Sequence, residues 1–214
     1  RNVAVGSDAL GAMNPATNTD MYNVGVGYHA GLSVTTGTLN TLVGGLTGDA
    51  LTSGNSNTAI GYSSLTADTL GDRNVALGAF TLTSQNFTTS VDSYNVGVGF
   101  GAGNAVTTGI ANSLIGGNAG LALTDADYNT GLGYLALTAD TLGSNSVAVG
   151  AFALRDQNFT TATDSHNTAV GYNAGGDVTT GTENTIMGGL AADALTTGGS
   201  NVALGYVALT ADTV

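Results

Sequence analysis

The 214-residue chain contains no cysteine, no tryptophan and no lysine, and arginine occurs only three times. Without cysteine there is no disulfide framework, so stability has to come from hydrogen bonds and packing. The formal net charge of −12 would repel a phosphate backbone, which argues against nucleic acid as a partner. No apolar run reaches the roughly 18 residues of a transmembrane helix, so we expect no membrane insertion.

Charged residues are also scarce, at 8% of the chain, whereas 42% of the residues are hydrophobic. Disordered chains usually combine low hydrophobicity with high charge. The hydrophobic positions here are regularly spaced, which indicates a folded chain.

The dominant feature is a five-residue signature that occurs twelve times: Asn, two small or aliphatic residues, an aliphatic residue, then Gly. Successive copies lie 21, 17, 17 and 17 residues apart, and this series repeats. Four copies therefore make a 72-residue module, present as 2–73, 74–145 and 146–214. We interpret residues 1–214 as a single repeat domain. The signature begins at positions 2, 23, 40, 57, 74, 95, 112, 129, 146, 167, 184 and 201, with Ser146 in place of Asn.

Short runs of β-branched and aliphatic residues, interrupted every few residues by Gly, Asn, Asp and Thr, are typical of strands and turns. A unit of 17 or 21 residues suits one coil of a solenoid, in which each coil pairs with the coils before and after it. The sequence thus predicts an all-β fold, a parallel β-solenoid (β-roll) of about twelve coils.

The aliphatic residue three positions after each Asn, such as Val43 or Leu132, is expected to face the core. Strand alternation then places the smaller intervening residue on the outside. A second hydrophobic residue, eleven positions after the Asn in the second and third coil of each module, should add to the core. These residues are Val34, Leu51, Val106, Leu123, Val178 and Leu195.

The Asn and Gly of the signature are expected to be structural, the Asn in a ladder and the Gly at a corner that needs positive φ or close coil contact. Representative pairs are Asn57 and Gly61, Asn74 and Gly78, and Asn167 and Gly171.

Every second coil carries an aromatic residue directly after the signature Gly, and a small residue occupies this position in the coils between. We expect each ring to pack over its small neighbour. A row of platforms for sugar rings and a subunit contact remain open alternatives. The aromatic residues are Tyr28, Tyr62, Phe100, Tyr134, Tyr172 and Tyr206.

The 21-residue coils contain one long loop per module, and insertions that recur once per repeat often mark a binding face. Phe87 and Phe159 occupy equivalent positions in two of these loops, as core plugs or as ligand or lateral contacts. The first loop carries Met13-Asn-Pro-Ala-Thr17 instead.

The acidic residues give weak functional signals. Asp68, Asp140 and Asp212 are expected to cap turns. Asp125 and Asp127 are weak calcium candidates, because a site needs about six oxygens or more; no other cofactor is indicated.

We find no catalytic constellation. The single Glu183 has only Asp177 as an acidic neighbour, whereas glycan-cleaving enzymes use a positioned carboxylate pair. His29 and His166 are isolated, so we expect no enzyme activity.

Three segments carry a resemblance: Asn57-Thr-Ala-Ile-Gly-Tyr62, Asn167-Thr-Ala-Val-Gly-Tyr172 and Ser146-Val-Ala-Val-Gly150. They resemble the head repeats of trimeric autotransporter adhesins and the Asn-Thr-Ala-x-Gly-Tyr repeats of phage tail fibres and bacterial surface fibres. The resemblance implies a parallel β-roll, usually left-handed and trimeric, on a cell surface or virion. The coils here are longer than the adhesin unit, so handedness and three-fold assembly stay open.

Together these features predict an extracellular structural fibre or adhesin shaft. Its partners would be further copies of itself, in a fibre or homotrimer. Because Arg1 aligns with Arg73, and Val214 with Leu142, we expect a longer array or end-to-end stacking. The alternative is a phage tail fibre or adhesin that binds host-surface glycans through the module loops and the aromatic row.

Overall fold

The structure, a computed structural model, describes residues 1–15, 20–211 and 213. These residues form short strands joined by turns and contain no helix, hence none able to cross a membrane. Contacts divide the chain into two compact units, residues 1–108 and 109–214. The boundary lies inside the second module, so the units do not coincide with the modules.

The first unit contains six three-residue strands, paired in chain order in one parallel sheet, and a two-residue parallel pair on another side of the coil. The strands are β1 (Val3–Val5), β2 (Val24–Val26), β3 (Thr41–Val43), β4 (Thr58–Ile60), β5 (Gly71–Asp72), β6 (Val75–Leu77), β7 (Val91–Asp92) and β8 (Val96–Val98), of which β5 and β7 form the short pair.

The second unit repeats this arrangement, with β11 and β13 as its short pair. Its strands are β9 (Ser113–Ile115), β10 (Thr130–Leu132), β11 (Gly143–Ser144), β12 (Val147–Val149), β13 (Thr163–Asp164), β14 (Thr168–Val170), β15 (Thr185–Met187) and β16 (Val202–Leu204).

Each long-sheet strand consists of the three middle residues of the signature, and it pairs with the same residues of the next copy. Val3 pairs with Val24 across a 21-residue coil, and Thr41 pairs with Thr58 across a 17-residue coil. The all-β class and the parallel β-solenoid of about twelve turns are therefore confirmed. A coil is defined below as the segment from one signature Asn to the next, and the four coils of a module are called types 1 to 4.

The prediction of which strand residues face the core was wrong. The middle strand residue is buried, with Leu42, Leu114 and Ile186 fully inaccessible, while the third residue points outward. Ile60, Leu132 and Met187, expected in the core, are 42%, 44% and 46% exposed.

The physical reason for the reversal is that the coil interior is narrow and is filled alternately from two sides. In type 3 coils the middle strand residue is large, as in Leu42, and the turn position opposite is small, as in Gly48, where an added methyl group would lie 2.9 Å from Leu42 Cδ2. In type 1 and type 4 coils the strand residue is small and a leucine such as Leu65 enters from the turn, fully buried.

Type 2 coils are small on both sides and receive side chains from the coils before and after them. A methyl group added at Gly31 would lie 2.7 Å from Leu42 Cδ1 and 2.8 Å from Leu10 Cδ2. This distribution of bulky and small residues over four coils explains why the sequence repeats every 72 residues rather than every 17.

The second set of predicted core residues is confirmed, because all six, from Val34 to Leu195, are fully buried. Phe87 and Phe159 are also buried, at 5% and 6% exposure.

The ladder asparagines form a hydrogen-bonded series from Asn2 to Asn95 in the first unit, and its inner members are buried. The Asn57 backbone N–H donates to Asn40 Oδ1 at 3.0 Å, and Asn74 N–H donates to Asn57 Oδ1 at 2.9 Å. The Asn57 side-chain amide donates to the Gly71 carbonyl at 2.9 Å. Asn167 and Asn184 repeat the pattern in the second unit.

The signature glycines have φ between +124° and +146°, a region that side-chain-bearing residues rarely adopt. Most of them lie against the backbone of the next coil. A methyl group at Gly61 would lie 2.5 Å from the carbonyl carbon of Gly78. Gly78 and Gly171 share this geometry. The predictions for Asp212, Val214 and residues 16–17 lie outside the described residues.

Candidate interaction face

The outward-facing first and third strand residues form an uncharged band on each unit, called here the aliphatic strip. The first position holds Val or Thr, with Ser113 as the exception, and the third holds Val, Ile, Leu or Met. Apart from Leu209, the exposed large hydrophobic side chains of the described residues lie on the strip or directly beside it. Each unit thus has one apolar side.

Along one edge of the strip stand the aromatic residues predicted from the sequence. They form the ring column: Tyr28, Tyr62 and Phe100 on the first unit, and Tyr134, Tyr172 and Tyr206 on the second. Tyr62 and Tyr134 pack against Gly45 and Gly117 of the preceding coil, where a methyl group would lie 3.5 and 3.4 Å from ring carbons. The expected packing over small neighbours is therefore present, yet the rings stay half exposed.

Sequence reasoning missed two members of this edge, Phe80 and Phe152, because they lie one residue later in the signature. Phe80 fills the gap between Tyr62 and Phe100, at centroid distances of 5.5 and 5.7 Å and interplanar angles of 79° and 78°. Phe152 does the same between Tyr134 and Tyr172, at 5.6 and 5.8 Å. The Ala that precedes each Phe was the available signal.

The first module differs at this edge. Asp8 takes the position of Phe80, and His29 stacks on Tyr28 with centroids 3.8 Å apart. His29 Nε2 lies 3.5 Å from the Asp8 carboxylate.

The opposite edge of the strip is formed by the residue before each ladder Asn. Tyr22, Tyr94 and Tyr128 are about half exposed there, and all have left-handed backbone conformations. Arg73 pairs with Asp92 and donates to the Tyr94 hydroxyl at 3.0 Å. The pKa of Arg73 is raised, mainly by the charge of Asp92.

Two equivalent buried carboxylates, Asp68 and Asp140, lie beneath the long loops of the type 1 coils. Asp68 accepts hydrogen bonds from Gln85 Nε2 at 2.6 Å and from the Gly71 backbone at 3.0 Å. Asp140 accepts from Gln157 at 2.5 Å and from the Phe159 backbone at 3.1 Å. These carboxylates hold the inserted loop against the coil before it, which extends the predicted turn-capping role.

Burial raises the pKa of Asp68 and of Asp140, while the hydrogen bonds from Gln85, Gln157 and backbone N–H groups act in the opposite direction. The loops therefore rest on carboxyl groups whose ionisation is costly.

Of the two calcium candidates, Asp127 is bound by the backbone of the preceding coil. Asp127 Oδ1 accepts the Ile110 backbone N–H at 2.7 Å, and burial raises the pKa of Asp127. Within the described ranges, no group of three or more His, Asp or Glu side chains is arranged to hold a metal ion.

Phe87 and Phe159, as buried residues, offer little surface to a ligand, and the exposed part of their loops is polar. Glu183 accepts a hydrogen bond from Ser200 at 2.8 Å and is exposed, as is His166. The structure therefore brings together the strip and its two aromatic edges, and not the acidic residues.

Comparison with protein-family models, curated proteins and solved structures gives no significant match.

Proposed function

We propose that the chain is an extracellular structural shaft, of the kind found in fibres and adhesins, whose copies associate side by side through the aliphatic strip. It acts as a scaffold without catalytic activity. The observation that carries the proposal is the uncharged strip with exposed Ile60, Ile115, Leu132 and Met187.

The composition of the strip matches the centre of a protein interface. Interface centres are depleted in charge, and large exposed apolar patches mark association sites. Burying apolar surface contributes about 25 cal/mol per Å², so a band repeated on every coil offers a large driving force.

A second copy of the chain is the partner that fits best. Outside the strip, a net charge of −12 opposes contact between copies, whereas the strip itself carries no charge. Another copy also presents the same inter-coil interval, about 4.8 Å, so side chains can interdigitate along the whole contact. A homotrimer is the assembly that the resemblance to adhesin heads implies.

Sedimentation velocity over a range of concentrations tests the proposal. The wild-type chain is expected to form oligomers, and Leu132→Asp to shift it towards monomer, because the contact would bury an unpaired carboxylate. Thr161→Asp, at an exposed position in a long loop, is the matched control and should leave association unchanged. A monomeric wild type, or equal effects of the two variants, would refute the proposal.

A further inference from the structure

The ring column has a geometry that goes beyond support of a shaft. A methyl group at Gly117 would come within 4 Å of Tyr134 only at Cδ2 and Cε2, at 3.4 and 3.7 Å. The same two atoms of Tyr62 face Gly45, and those of Tyr206 face Gly189. Each tyrosine therefore turns one ring edge, rather than a face, towards the preceding coil.

A ring that points an edge at one coil also points its opposite edge at the next. The perpendicular contact between Tyr134 and Phe152 is thus made by the edge of Tyr134 on the face of Phe152. Tyr172 meets the other side of Phe152 at an interplanar angle of 86°. The faces of Tyr134 and Tyr172 are consequently turned sideways, where no member of the column covers them.

These rings are held in place and yet accessible. Tyr134 and Tyr172 are 53% and 58% exposed, and Tyr62 and Phe100 of the first unit are 52% and 61% exposed. Because they recur on every second coil, equivalent rings are spaced at about twice the strand separation, roughly 9.6 Å.

We infer that the ring column of each unit binds a linear, neutral, β-1,4-linked polysaccharide that lies along the solenoid axis. In an extended β-1,4 chain successive sugars are turned over, so every second sugar presents the same apolar C–H face, at close to the interval of the rings. Aromatic faces stack on such surfaces through the negative potential of the ring.

The charge of the protein narrows the class of ligand. The column contains no cationic side chain, and the net charge of −12 disfavours an anionic glycan. Neutral chains of glucose or N-acetylglucosamine fit both the spacing and the charge. This inference does not depend on self-association, because the glycan would bind the ring column, whereas copies of the chain would associate through the aliphatic strip.

Isothermal titration with cellohexaose and chitohexaose, and with α-linked maltohexaose for comparison, tests the inference. We expect at least one β-linked hexaose to bind and maltohexaose not to bind. Tyr134→Ala and Tyr172→Ala should each weaken binding by about tenfold, a factor that corresponds to about 1.4 kcal/mol.

The chain offers a matched control in Tyr128, a tyrosine of the same unit that is 57% exposed on the opposite edge of the strip. Tyr128→Ala and the ring-preserving Tyr134→Phe should bind as the wild type does. Three results would each overturn the inference: no binding of either β-linked hexaose, equal binding of maltohexaose, or an equal loss in Tyr128→Ala.

Discussion

Replacing Gly116 with alanine, with its neighbour Gly117 as control, measures how closely the coils are stacked. Gly116 has φ +136°, and a methyl group there would lie 2.6 Å from the carbonyl carbon of Gly133, with the carbonyl oxygen closer still. Gly117 lies outside the positive-φ region, and its methyl group would make ordinary contacts with the Tyr134 ring at 3.4 and 3.7 Å. The two substitutions add the same atoms to adjacent residues.

Two costs apply to Gly116→Ala and neither applies to Gly117→Ala. Holding a side-chain-bearing residue in a sparsely populated backbone region costs about 1–3 kcal/mol. Overpacking against atoms that cannot move aside costs typically about 1–3 kcal/mol more. The expected loss is therefore about 2–6 kcal/mol for Gly116→Ala. For Gly117→Ala the change should stay within about 1 kcal/mol and can be stabilising, because alanine restricts the unfolded chain.

Urea denaturation followed by circular dichroism gives both free energies of unfolding, with the slope as a check that the same surface is exposed. Measurements at several protein concentrations separate folding from association. Equal effects of the two substitutions would show that the coils can move apart, and would refute the argument that backbone contact determines this glycine.

Three further predictions concern stability. Leu114→Ala should lower the free energy of unfolding by about 2–5 kcal/mol, because Leu114 is fully buried. Leu132→Ala, at a 44% exposed position, should cost far less in the monomer. A reversed order in denaturant titrations would restore the core assignment made from the sequence. Ser56→Gly should stabilise slightly, since Ser56 has φ +58° and a left-handed conformation costs about 1–2 kcal/mol in a residue with a side chain; a lower melting temperature would contradict this. The pKa of Asp68 and of Asp140 is raised in the folded protein, so their protonated forms contribute stability that is complete below the unfolded pKa of about 3.9 and is lost as pH rises through the folded pKa values. The double variant Asp68→Asn/Asp140→Asn should therefore lose less unfolding free energy than the wild type between acid and neutral pH. Identical pH profiles of the two proteins would show that these carboxyls do not titrate with unfolding.

The repeat made the fold predictable. Twelve copies at two spacings identify a coil long enough for short strands and turns and too short for a helical hairpin, and the structure has strands at every copy. The signature glycines could be interpreted from sequence because few other residues fit a corner that also touches the next coil.

The direction of the strand side chains could not be deduced in the same way. An aliphatic residue at the third position of every strand normally indicates a core-facing side chain. Here Leu132, at that position, faces outward, and Gly131 faces the interior. The signal lay in a comparison of two positions within one coil. Coils with a large middle strand residue, such as Leu42, have a small residue opposite, such as Gly48. Volume compensation of this kind becomes visible only when both sides of one coil are aligned.

The two aromatic edges were accessible to sequence reasoning only in part. The ring column follows a strict period and was found, whereas Phe80 and Phe152 are displaced by one residue and were not. Tyr22 and Tyr94 recur at the 72-residue period, whereas Tyr128 precedes the signature in a coil of another type, and this edge was not found from the sequence. Within each unit, the parallel stacking of coils places the residue before every ladder Asn on the same edge of the strip.

Paired strand residues are close in sequence, and this affects how fast the chain folds and how its number of coils can change. Strand partners are 17 to 21 residues apart, however many coils a chain contains, so the entropy of closing each coil stays constant and relative contact order falls as coils are added. Folding can start at any coil and spread to its neighbours.

Length can accordingly change by whole modules at little cost, because every remaining coil keeps a neighbour of the type it had. Loss of one type 2 coil would be different. Gly25 and Gly31 make room for Leu10 and Leu42, and without that coil the two leucines would compete for one layer. Gene duplications and deletions in such a chain should therefore be retained in steps of four coils.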